Sequence, residues 1–458
     1  MKKRVVLCMI LVLALVFTAC SQTKPAAPAQ NTAQTAAKTE EKKPETKEEA
    51  KKPVTIRMAA WGGEARFKLY DRVFDLYQKE NPHVTLSKDY TAWNDYWIKK
   101  ATQAAGGNLP DMTNVSWYSI REYSLNGSYV PLDQFVKTGQ IDIKGFNETV
   151  LSTGKLNGVL YSLPIGVSID GLMFNKTLIE KAGMKVPAYE ITWDEYINFL
   201  LELQKKLPER VWASNDTGRD FKHLATWLRQ KYGVEFYSAD GKSLGYTKEQ
   251  LKEWLVQWDN LRKAGAIVPA SVSAELEGGD PWADTVQAKN MVCAWMSPDN
   301  QLTIYQLYTK NELVIGRTPV MPNGKNKYGE ILLMTGFALS KNSKIPDETL
   351  KLINWFPRSI EGNRIFYADQ GFVGVPDVAK LLLDMAAKES PQKLSFFKHA
   401  ESVTTSQPPA PPTIPWAIGS TAVVSAYERQ YDELRYGRKN IDQVVNDFFI
   451  EADKLLKK

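Results

Sequence analysis

Between Val54 and Leu86 the polarity of the chain changes its period twice, and that change restricts the fold more than any other feature. Val54, Ile56, Met58 and Ala60 alternate with polar or small neighbours, the two-residue period of a strand, which ends at Trp61-Gly62-Gly63. Phe67, Tyr70, Phe74 and Tyr77 then recur at spacings of three and four, one face of a helix that Asn81-Pro82 stops. Val84 and Leu86 open a second strand. Strand, helix and strand in that order make a parallel crossover, and in open sheets built this way ligands collect at the carboxyl ends of the strands. The loop Trp61 to Glu64 lies at such an end, as do Trp93-Asn94 after the second strand and Trp117-Tyr118 after a third that starts near Met112.

The alternation continues. Leu172-Met173-Phe174 reads as a strand, Trp193 to Lys205 as a helix, Thr247 to Ala264 as a helix with Leu251, Leu255, Trp258 and Leu261 on one face, and Glu348 to Phe356 as another. This places the chain in the α/β class. There is no fixed-period repeat, and Gly62-Gly63 lacks the spacing of a nucleotide-binding loop. The stretch from Val54 to Lys458 is too long for one core and suits two domains.

The N-terminus has a different character. Lys2, Lys3 and Arg4 precede an apolar run from Val5 to Phe17, too short to span a membrane, so residues 1–19 read as a secretory signal peptide. Phe17-Thr18-Ala19-Cys20 resembles the lipobox of bacterial lipoproteins, which implies acylation of Cys20. From Ser21 to Pro53 only Ala, Pro, Ser, Thr, Gln, Asn, Lys and Glu occur, so residues 20–53 read as a disordered, lipid-anchored tether.

Of the formal net charge of +6, the leader carries +3 and the tether +2, so the folded part is nearly neutral and its net charge gives no reason to expect a nucleic-acid partner, which would need a basic patch localised on the fold. Only Cys293 of the three cysteines lies in the folded part, in the apolar run Met291 to Trp295, where it reads as a buried strand residue. Three histidines are too few for a His-based metal site, and no metal or cofactor is expected.

Several segments resemble the carbohydrate-binding family of bacterial extracellular solute-binding proteins, the family 1 group that includes maltodextrin-binding proteins. They are Trp61 to Arg66, Gln103 to Asp111, Leu163-Pro164-Ile165-Gly166, Phe174-Asn175-Lys176, Ala288 to Met291 leading into Ala294-Trp295, Gly336 to Lys341, and a final helix from Asp442 to Leu456. The resemblance implies a two-lobed periplasmic-binding-protein-like (Venus flytrap) fold with discontinuous lobes, 54–165 with 334–401 and 166–333 with 402–458. Strands would cross between the lobes near Leu163 to Val167 and Met334 to Phe337, with a third crossing near Ser402 to Pro408. It further implies a monomeric binding component of a carbohydrate ABC importer, not an enzyme, which holds a sugar in the inter-lobe cleft and delivers it to permease subunits. It would sit on the outer face of the cytoplasmic membrane, or in the periplasm where there is an outer membrane.

A sugar shows an apolar face and a rim of hydroxyls, so aromatic rings beside carboxylates and amides suit it. Among the 13 Trp, Trp61, Trp93, Trp117, Trp282, Trp295 and Trp416 stand at strand ends or in Gly/Pro-flanked loops, with Trp295 and Trp416 the first choices and Trp227 a helical candidate. Trp97, Trp193, Trp254, Trp258 and Trp355 sit in helix-like segments and are expected in the core. The polar candidates are Glu64, Arg66, Asp170, Asp280 and Asn300. The competing class is a secreted glycosidase or lyase, which would need two carboxylates flanking a scissile bond.

Overall fold

The structure is a computed structural model that describes residues 51–276 and 283–457. The leader, Cys20, the tether up to residue 50, Asp280 and Trp282 lie outside the described residues. Among the described residues no helix is long and apolar enough to cross a membrane.

Ten strands form. β1 (Val54–Trp61), β2 (Val84–Thr91) and β3 (Met112–Ser116) come first, followed by the short pair β4 (Lys155–Leu156) and β5 (Val159–Leu160). Then come β6 (Leu163–Asn175), β7 (Trp212–Ser214), β8 (Val292–Pro298), β9 (Leu313–Arg317) and β10 (Leu332–Leu339). The main sheet runs β2-β1-β3-β10-β6-β8-β7, with β9 also on β6. β1 pairs in parallel with both β2 and β3. The crossover between β1 and β2 is helix α1 (Glu64–Glu80), whose Tyr70, Phe74 and Tyr77 are buried as the spacing requires, along with Val73. α2 (Trp93–Ala105) follows β2.

β6 organises the molecule. The expected crossing at Leu163 to Val167 and the separate strand at Leu172 are one continuous strand of 13 residues, buried throughout. Its first half, to Ile169, pairs with β10, and its second half, from Asp170, pairs with β8 and β9. The packing changes at the same place. Ile169 belongs to a hydrophobic core with Met58, Phe74, Leu163, Phe337 and Phe396, whereas Leu172 belongs to a second with Leu224, Trp254, Trp258 and Phe448. The two cores share no residue, and β6 and β10 lie at the seam between them.

The segment after Asp369 is pressed against this crossing strand. Phe372 and Val167 exchange backbone hydrogen bonds, donor to acceptor 2.7 and 2.9 Å. Gly371 has φ +111° there, and a Cβ would meet the Val167 carbonyl oxygen at 2.4 Å, so both conformation and space require glycine. The predicted third crossing is irregular: the helix Pro391–Thr404 ends where it was to begin, and the chain then runs without regular structure to Trp416. Cys293 is buried, and burial pushes its thiol up to about 12, far from a reactive thiolate.

Candidate functional site

The carboxyl ends of β1, β2 and β3 each lead into a tryptophan, Trp61, Trp93 and Trp117. Trp61 closes β1 and is itself buried; its ring centroid lies 5.2 Å from Trp93 and 5.3 Å from Trp97, both on α2. Trp93 and Trp97 sit one helical turn apart on a common face, 5.3 Å from each other, with Tyr118 at 5.6 and 4.9 Å. Trp93 forms the outer surface, 42% exposed. The rings thus make a wall with Trp61 at its back.

The wall continues across the seam. Trp117, after β3, meets Trp416 edge-on at 4.2 Å and 81°, and Trp416 in turn meets Phe221 at 4.5 Å. Trp117 packs against both cores, whereas Trp416 packs against the second alone. Phe221 opens the helix Phe221–Tyr232, and the next two residues of that helix face a carboxylate.

That carboxylate is Asp170, at the residue of β6 where the two cores divide. Lys222 Nζ donates to Asp170 Oδ2 at 3.0 Å and lies 3.3 Å from Asp220, while His223 Nε2 stands 3.1 Å from Asp170 Oδ2. Burial alone would raise the Asp170 pKa, but Lys222 and His223 outweigh it and hold the carboxyl well below its usual range. Asp299, at the end of β8, is the opposite case. It is fully buried, its Oδ1 accepts from the backbone N–H groups of Ile169 and Asn300, its Oδ2 has no partner among the described residues, and burial raises its pKa well above the carboxylate norm. Asn300 follows, half-buried, where Asp170 pairs with Pro298.

The rings thus meet mostly edge to face, with Trp93 exposed at the outer surface, beside a buried cluster of paired charges around Asp170. The family model described as "bacterial extracellular solute-binding protein" matches residues 72–393, well over half of the chain. The chain belongs to that family. Its place is accordingly extracellular or periplasmic.

A binding protein of Brucella abortus (strain 2308) is 24% identical to this solute-binding protein over 400 residues, covering 85% of this chain and 90% of that one. A lactose-binding protein of Rhizobium radiobacter is 27% identical over 200 residues, 40% of this chain and 45% of that one. Among solved structures, a periplasmic oligogalacturonide-binding protein of Yersinia enterocolitica superposes with a TM-score of 0.73 at 23% identity, over 88% of this chain and 99% of that one. That likeness shows the α/β periplasmic-binding-protein fold.

The solute-binding protein places its predicted site residues unevenly. Trp61, Trp93, Trp117 and Trp416 come together in the aromatic wall, Asp170 lies at the seam, and Asn300 follows the end of β8, two residues beyond Pro298 with which Asp170 pairs. Two expectations need correction. Trp295 has no exposed surface: it pairs with Met173 on β6 and packs at 5.6 Å against Tyr305 in a small apolar cluster, because its side chain points to the face of the sheet that the helix Gln301–Leu307 covers. Trp227 is buried in the second core, 5.6 Å from Trp254, on the inward face of its helix. Glu64 points to solvent and pairs with Lys68 at 2.6 Å. Arg66 turns back to pair with Asp369 rather than reaching outward. Trp97, expected in the core by its helical setting, is half-buried against the apolar cluster of Ala59, Trp61 and Tyr96, and its ring also meets Trp93 and Tyr118. Tyr118 carried a signal in its place after the third strand, whereas Phe221, Lys222 and His223 had none, since only the meeting of the two cores gives them a role.

Proposed function

We propose that this solute-binding protein captures a sugar at the seam and delivers it to the permease of an ABC importer, with its cores acting as lobes 54–165 with 334–401 and 166–333 with 402–458. The observation that carries the reading is the aromatic wall. Rings contributed from the side of the first core (Trp93, Trp97, Tyr118) and of the second (Trp416, Phe221) converge beside Asp170, so a saccharide lying between them would stack on both sides and place hydroxyls at the polar edge. The lactose-binding and oligogalacturonide-binding relatives support a saccharide as the ligand class.

The charges favour a neutral sugar. Arg66 is matched by Asp369, and Lys222 by Asp170 and Asp220, so a uronate would have to break an existing ion pair to gain one. The same pairing supports binding rather than hydrolysis, because Asp170 is held ionised by its neighbours while Asp299 faces no open space. Outside the described residues, the leader and Phe17-Thr18-Ala19-Cys20 support an acyl anchor on Cys20 with the tether as spacer.

A thermal-shift screen against neutral and uronate oligosaccharides tests the ligand class, since a ligand at 100 times its Kd stabilises by about 2.7 kcal/mol. A shift with neutral sugars alone is the expected result. Shifts only with uronates would overturn the charge argument, and no shift with either would remove the saccharide. Cys20→Ser should release the protein in soluble form, and retention of that variant on washed membranes would count against the anchor.

A further inference from the structure

The segment that presents Trp416 is rich in proline, and its carbonyls have no helix or sheet to bind them. Two guanidinium groups take them up. Arg229, on the helix Phe221–Tyr232 of the second core, donates to the carbonyls of Pro411 and Pro412, the latter at 2.8 Å, and to those of Gly329 and Glu330 at 3.0 and 2.8 Å. Arg121 comes from the other side. It follows Ile120 and precedes Tyr123, both in the first core, and its Nε donates to the Pro415 carbonyl at 3.2 Å while Nη1 and Nη2 both reach the Ala239 carbonyl at 3.4 Å.

Arg121 is almost fully buried and, among the described residues, has no carboxylate in an ion pair with it, although Asp240 lies close enough to interact electrostatically. A charge so placed is stable only while its donors are occupied. The cavity that Arg121 and Arg229 share with Trp416 and Tyr237 has a volume of about 20 Å³, room for about one water and not for a sugar ring. The guanidinium therefore holds protein to protein across the seam. Trp117 and Arg121 flank one short turn, and their partners Trp416 and Pro415 are adjacent in sequence, so the ring contact and the hydrogen bonds form or break together.

We propose that Arg121 is a clasp between the two cores, a positioning residue that seats Trp416 against Trp117 and thereby sets how long a ligand stays bound. The ligand part rests on the sugar-binding reading; the clasp itself does not. R121M removes the donors and leaves the carbonyls free to take up water once the seam opens.

The test is small-angle scattering of the ligand-free, full-length folded chain, followed by the dissociation rate of whichever sugar shifts the wild type. R121M should have a larger radius of gyration than wild type, and the sugar should leave it on the order of tenfold faster with little change in the association rate. W416A should extend the protein in the same way, and the double variant R121M/W416A should add little to either. A wild type that captures no sugar, with R121M still extended, supports the clasp and removes the sugar reading. A ligand-free R121M profile identical to wild type, with its unfolding midpoint retained, overturns the clasp whatever the sugar does. If R121M does not fold, R121K carries the test: an ammonium cannot span both carbonyls, so extension is again expected and a wild-type profile overturns the proposal.

Discussion

Trp295 and Trp416 invite the same reading and occupy opposite surroundings. Each is a large ring beside the end of an apolar or proline-bounded run, but Trp295 stands inside a strand and Trp416 on a segment with no regular structure. A strand commits each side chain to one of two faces, and at Trp295 that face is sealed by Leu302 and Tyr305. Trp416 has no such commitment, so its direction is set by what holds its backbone, Arg229 on one side and Arg121 on the other. The position of a residue at the end of an element says little about exposure; whether the element imposes a face, and what covers that face, decides it.

The sharpest way to break this comparison is to truncate both rings. Trp295→Ala should lower stability by about 3 to 5 kcal/mol, because a fully buried indole leaves a cavity among packed neighbours, with sugar affinity unchanged in the folded fraction. Denaturant unfolding checks this. A Trp295→Ala protein of wild-type stability and weakened sugar binding would place that ring in the site after all.

His399 probes burial through charge instead of volume. Its ring is buried on the helix Pro391–Thr404, its Nδ1 within 3.0 Å of the Tyr189 hydroxyl, and burial lowers its pKa to about 4, Glu330 opposing that shift and Arg317 adding to it. The unfolded state, with an ordinary pKa near 6.5, binds a proton before the folded state does. Stability on this account is unaffected above about pH 6.5, falls as pH drops towards 4, and is lost by roughly 3 kcal/mol below that. His399→Gln should remove this component, so wild type and variant should differ in their pH slope between those limits. Parallel slopes would mean that water reaches the ring.

Much of this was legible in the chain and some was not, for physical reasons. The β–α–β unit could be read because Tyr70, Phe74 and Tyr77 repeat with the helix and Ile56 and Met58 with the strand, and local period is a local property. β6 was read as two pieces because a strand buried on both faces has no alternation to follow, and Asp170 in its middle looks like an end. Lys222, His223 and Arg121 could not be found by pattern, since what they do depends on residues 52, 53 and 294 positions away respectively. Local structure is thus written in the local pattern of residues, whereas the meeting of the two cores depends on residues far apart in the chain.

Trp416→Ala sharpens the other half of the comparison. The ring is half-buried against Trp117 and Phe221, so its loss should weaken sugar binding by about 1 to 3 kcal/mol, or about 5-fold to 150-fold in Kd, with a smaller effect on stability than Trp295→Ala has. Calorimetric titration beside an unfolding curve separates the two effects. Trp416→Ala with intact affinity would leave Trp93 and Tyr118 as the platform and confine Trp416 to packing between the cores.

The smallest expected effect belongs to Glu64, which tests whether nearness in sequence to the wall is enough. It lies three residues after Trp61 and was a candidate to accept sugar hydroxyls, yet its side chain is 83% exposed and its carboxylate is paired with Lys68 one turn along α1. An exposed pair of this kind exchanges freely with water and contributes little, so Glu64→Gln should change the Kd for sugar by less than about twofold. Arg66, two residues on, differs because its pairing with Asp369 ties the first turn of α1 to the segment that Gly371 presses against β6. Arg66→Gln should therefore alter binding more than Glu64→Gln does, by loosening the ground on which Trp61 and Trp93 stand. If the order is reversed, and Glu64→Gln weakens the sugar about tenfold while Arg66→Gln does not, then that first turn must bring its carboxylate inward on binding and the ligand, not the Asp369 pairing, sets its final position.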